Sequence, residues 1–159
     1  MNIRTLVYEA ADTLRNDPII QANDVPVIVL ERGDTRASVK ADIGRTARCL
    51  VVSADRFAPT VCGTGGIYGT TGIVVSVFER PAVNRAGLAQ SPSDPGFETD
   101  PVALNLAQAA ANALDGAGSA DSAGALYLDE ITPLVELDTD SWPGVVTCDV
   151  VFTLRNFKL

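Results

Sequence analysis

The chain has 159 residues, is 47% hydrophobic and 20% charged, and carries a formal net charge of −8 without a single histidine. That composition removes the commonest general base and metal ligand. The acidic balance also argues against gripping a nucleic-acid duplex, which needs clustered Lys and Arg to neutralise phosphates.

From Ala86 to Leu154 there is no lysine or arginine, while acids recur from Asp94 to Asp149. Residues 1 to 85 hold acids and bases in near balance, so nearly all of the net charge sits in the second half. No apolar run approaches the roughly 18 residues of a membrane span, and Met1 to Thr5 lacks the apolar core of a signal peptide. The length predicts one domain over residues 1–159. Cys49, Cys62 and Cys148 make an odd number without CxxC spacing, as expected of a chain made in a reducing cytoplasm.

Ile3, Leu6, Val7, Ala10 and Leu14 recur at helical spacing and predict a helix from Ile3 to Leu14, stopped by Asn16-Asp17-Pro18. Val27 to Leu30 predicts a strand, apolar without a break and so expected to be buried on both faces. Residues 33 to 48 are polar and basic, with only weak strand signals from Ala37 to Val39. Strands are expected at Cys49 to Val52 and Ile73 to Phe78. Between them, residues 63 to 72 are too glycine-rich to predict a regular strand interior. They fit neither phosphate-loop nor dinucleotide spacing, which leaves a flexible hairpin tip or a subunit-contact loop. Residues 82 to 100 predict a long loop, a length that tends to be functional or mobile.

Asp100-Pro101 combines a good N-cap with proline at the first helical position and opens a helix to about Leu114. Residues 101 to 113 carry no charge, and Asn105, Gln108 and Asn112 form one narrow amide stripe on an alanine-rich cylinder. A helix wet on so little of its surface needs cover from more than one sheet, either a second layer or a neighbouring subunit. Uncharged amides suit an interface as well as they suit solvent. Ala125 to Leu128 and Ile131 to Leu137 then read as strand, Asp138 to Gly144 as a turn, and Val145 to Leu154 as the most strictly alternating strand. The sum is α+β, with a mixed or mainly antiparallel sheet, two helices packed on it and a C-terminal β-hairpin.

Asp138-Thr139-Asp140-Ser141 has part of a calcium-loop rhythm but lacks its glycine and distant glutamate, so a solvated turn is expected there and no metal. Trp142 beside Pro143 fits a packing anchor at that turn. Without histidine no Cys-His or Ser-His nucleophile is available, and Lys40 and Lys158 give little support to a Ser-Lys pair. Neither catalytic residues nor a cofactor are expected.

The order of elements resembles the tail terminator (tail completion) proteins of long-tailed phages, through Ile3 to Leu14, Val27 to Leu30, Cys49 to Val52, Ile73 to Pro81, Ala103 to Leu114 and Ile131 to Phe157. The resemblance implies a hexameric ring in the neck of a siphovirus-like virion, made in the host bacterial cytoplasm. Such a ring would cap the tail tube protein, join a head–tail connector protein, and let DNA pass without specific binding or contact with a membrane. Under it, Glu130, Glu136, Asp138 and Asp140 become candidates for an acidic lumen, since like charge keeps DNA from sticking. Asn105, Gln108, Asn112, Tyr68 and Trp142 become candidates for interfaces, with loops 63–72 and 82–100 for contacts to tube or connector. Another head–tail connector or minor tail protein, a small-molecule or peptide-binding α+β module, and a hydrolase using carboxylates alone remain the alternatives.

Overall fold

A computed structural model describes residues 3–30, 35–55, 57–63, 66–80, 103–118, 124–137 and 144–158. The expected loop 82–100, and Asp138, Asp140 and Trp142, lie outside these residues.

Helix α1 (Ile3–Arg15) buries Leu6, Val7, Ala10, Ala11 and Leu14, the stripe its spacing predicts. Asp17 then caps a short second helix, α2 (Pro18–Ala22), accepting from the backbone N–H of Ile19 and Ile20 at 2.9 and 3.1 Å. The stop signal was therefore also a start signal, with proline in the first turn as caps favour.

Strand β1 (Val27–Val29) runs parallel to β2 (Arg48–Ala54), and a parallel pair needs a crossover. Helix α3 (Thr35–Thr46) supplies it, where the sequence predicted polar loop with weak strand signals. Among the described side chains of α3, only Val39 and Ile43, one turn apart, are large and buried. That stripe is too narrow to stand out by periodicity, so packing against the sheet decides the conformation. Both faces of β1 are packed as expected, Val27 and Val29 in the core under α1 and Ile28 in the one under α3, but Ile28 and Val29 stay half-buried because β1 pairs with β2 alone among the described strands.

Strand β3 (Ala58–Gly63) and β4 (Gly66–Glu79) form a hairpin, so most of the glycine-rich stretch is regular strand, contrary to expectation. Two of its glycines are required by close approach. A Cβ on Gly72 would lie 2.7 Å from the Phe152 carbonyl oxygen, and one on Gly69 would meet the Phe57 ring at 2.7 Å and the Ala58 carbonyl. Here glycine marks tight packing of backbone, not a turn.

Helix α4 (Ala103–Leu114), strands β5 (Leu126–Ile131) and β6 (Val135–Glu136), and the long β7 (Val146–Lys158) complete the chain. The sheet order is β1-β2-β4-β7-β5, with β3 on β4 and β6 on β7; all pairings except β1–β2 are antiparallel. The architecture is thus α+β with a mixed sheet and a C-terminal hairpin, but it carries four described helices where two were expected.

Alternation along the strands sends Leu50, Val52, Ile73, Val75, Val77, Val150, Phe152 and Leu154 to one face, under α1, α2 and α4. Each fully buried aliphatic or phenyl side chain there contributes about 1.5–3 kcal/mol. The cover that α4 needs comes from α1 and α2 beside it and the sheet beneath it. The opposite face holds a smaller core, Cys49 and Val51 with Val39, Ile43 and Val145. No described helix is long and apolar enough to cross a membrane.

Ala47, just past α3, has φ of 62°, a left-handed position that costs a Cβ-bearing residue about 1 kcal/mol. Its N–H closes on the Ile43 carbonyl and its own carbonyl accepts from Arg80 N, so the turn is held. Ala47→Gly is expected to raise stability by about 1 kcal/mol, read as a 2–4 °C higher midpoint in thermal denaturation.

Cys49 and Cys148 are buried free thiols. Burial, helped by Asp42, pushes Cys49 up to about 12; burial, helped by Asp149, pushes Cys148 up to about 11. A raised folded-state pKa means the unfolded chain loses these protons first. Their contribution is complete below the ordinary value of 9.0 and is lost as pH rises towards 11–12. In a Cys62→Ser background, urea stability should be unaffected by these thiols up to pH 9 and fall above it. A thiol reagent at pH 8 should label the chain only after denaturation.

Candidate assembly surface

Adjacent partners across the sheet define rows of side chains on the face that carries α3. Cys49, Phe78, Thr147 and Val135 form the first, and Val51, Ser76 and Asp149 the second. Ser53, Val74, Val151 and Glu130 form the third; Gly72, Thr153 and Tyr127 form the fourth. Helix α3 packs on Cys49, Val51, Phe78 and Ile28, and so covers only the β1–β2 side and the first rows. Beyond it Val74 and Val151 are half-buried and Tyr127 is 55% exposed. No described helix packs over this half of the face.

This half, as the described residues present it, is acidic. Asp149 accepts from the Ser76 hydroxyl at 2.6 Å, and its backbone N–H donates to the Thr132 hydroxyl at 2.8 Å. Asp129, the extra residue in a bulge between Leu128 and Glu130, accepts from the Thr153 hydroxyl. Glu130 is exposed in the row of Val151. Among the described side chains of these rows there is no base.

The candidates named from sequence separate. Glu130 stands on this open face, whereas Glu136 pairs with Val146 and belongs to the opposite one. Asn105 is buried at 7% exposure, while Gln108 and Asn112 are exposed and joined by a 2.9 Å hydrogen bond from the Gln108 amide to the Asn112 side-chain oxygen. The stripe therefore splits into one inward and two outward amides. Tyr68 lies in β4, paired with Lys158 of β7. Sequence reasoning missed Asp129 and Asp149 as site residues: Asp149 sits between apolar neighbours in an alternating strand, Asp129 beside Glu130 would be expected on the opposite face, and only the register with its bulge shows that both join Glu130.

Two open grooves flank β1. One of about 500 Å³ is lined by Ile3, Arg4, Val7, Tyr8, Val29, Leu30 and Ala54, with the Arg4 guanidinium 5.4 Å from the Tyr8 ring centre. The other, about 590 Å³, holds Arg15 and Arg45. Arg15 is engaged by Asp12 and the Val27 carbonyl, and Arg45 by Asp42.

This mixed-sheet α+β fold occurs in a chain of the virion of a native gene transfer agent particle. That chain shares 18% identity, with 92% of this chain and 90% of the other covered at a TM-score of 0.57. The likeness is one of fold. No protein-family model and no curated protein sequence matches the chain.

Proposed function

We propose that the protein is a structural component of a phage-like virion, and within it a tail terminator that closes a hexameric ring over the tail tube and meets the head-side connector. The observation that carries this reading is the fold likeness to a virion chain along nearly the whole length of both. The order of elements supports the terminator role in particular. A lack of bases from Ala86 to Leu154 suits a passage through which DNA slides without adhering. The described grooves are open rather than enclosed, which favours surface contacts over a small-molecule site.

Light scattering at two protein concentrations and two salt concentrations tests the ring. Six chains of 16.7 kDa give about 100 kDa in a closed cyclic assembly. A single-chain mass under all four conditions, together with failure to halt polymerisation of a tail tube protein, would overturn the reading.

A further inference from the structure

We infer that the half of the sheet face over which no described helix packs seats helix α3 of a second copy of this chain, in a head-to-tail contact that repeats around the ring. The inference rests on the ring reading and says which surfaces would make it. The outward side of α3 carries Ala37, Ala41 and Gly44, all small and exposed, so another backbone layer can come close. Lys40 and Arg45 flank them; the Arg45 side chain is 71% exposed even while paired with Asp42.

The surface offered in return is complementary. Val74 and Val151 make an apolar centre, and Asp129, Glu130 and Asp149 supply acids around it. An apolar centre with a polar rim is the anatomy of a protein interface, and opposite charge fixes partner and register. Helix α3 already packs its Val39 and Ile43 side onto the other half of this same sheet face. Its outward side on a neighbour's sheet would produce a sheet–helix–sheet stack. The two patches are different surfaces of one chain, so the contact is heterologous and closes into a ring when the rotation permits.

Charge reversal tests the pairing. One variant carries Lys40→Glu with Arg45→Glu, the other Asp129→Lys with Glu130→Lys. Each alone is expected to raise the concentration for half-assembly at least tenfold by light scattering. Mixed in equal amounts they should assemble again, because every contact then joins an acidic helix to a basic sheet or the reverse. An even-membered ring can alternate in this way. Rescue on mixing requires folded chains, so it separates a broken contact from a broken fold. If either double variant fails to fold, Lys40→Glu and Glu130→Lys serve the same design singly. A wild-type ring indifferent to both variants, or variants that stay apart when mixed, overturns the pairing and leaves the ring reading intact. A wild-type chain that assembles neither alone nor on a tail tube, and does not halt tube polymerisation, overturns both.

Discussion

Glu79→Ala is expected to lower unfolding stability by about 3–5 kcal/mol, the cost of removing one partner from a buried ion pair. Glu79 is 1% exposed at the end of β4. One carboxylate oxygen accepts from the backbone N–H of Ala103 at 2.6 Å, and the other meets Arg48 Nε at 3.4 Å. The first bond places a carboxylate at the start of α4, where unsatisfied N–H groups and the helix dipole favour negative charge. The second spans neighbouring strands, since Arg48 and Glu79 are direct partners in the β2–β4 register. Glu79→Gln keeps an oxygen for Ala103 but gives up the attraction to Arg48, and should lose about 1–2 kcal/mol. Adding Arg48→Met to Glu79→Ala should recover part of the loss, because the charge that faced Glu79 is then removed with it. Urea denaturation of the four proteins measures these differences. Equal stability of wild type and Glu79→Ala would show that the carboxylate holds nothing.

Ala110→Asp is expected to abolish the folded state at 37 °C or bring the chain close to that point. Ala110 is fully buried in α4, in the same core as Ala10, Ala11, Ala107 and Ala111. Small side chains on both α1 and α4 let the two helices approach closely, and an added carboxylate finds neither room nor partner. An uncompensated buried charge costs several kcal/mol, a large share of the 5–15 kcal/mol typical of a domain. Ala110→Ser adds little volume and should cost about 1–2 kcal/mol. Circular dichroism and the soluble yield of the two variants check the contrast. If the aspartate variant melts within a few degrees of wild type, the buried alanine seam is wrong.

The elements visible in the sequence are those whose side chains repeat strongly. The stripe of α1, the uncharged body of α4 and the alternation from Val146 to Leu154 each follow from a period that one face of packing imposes. Helix α3 escaped because its large buried residues, among the described side chains, are just Val39 and Ile43, and because Gly44 and Thr46 are weak helix formers. The first half of β4 escaped for the opposite reason. Gly69 and Gly72 read as turn residues, yet they are set by carbonyls and a phenyl ring belonging to distant stretches of chain. Much of the candidate surface was hidden for a related cause. Which face Glu130 occupies depends on the one-residue bulge after Leu128, and period-2 reasoning inverts wherever a bulge intervenes.

The contact between Glu79 and Ala103 has a further consequence for how such a chain can change over time. It ties the end of β4 to the start of α4, the two points that residues 81–102 join. The entropy of closing a segment grows only with the logarithm of its length, about 0.6 kcal/mol for each doubling. A change of length between those two anchors that keeps Asp100-Pro101 should therefore add little to the entropic cost of folding. Selection could rewrite that stretch to follow a changing neighbour while the sheet and its helices stay as they are.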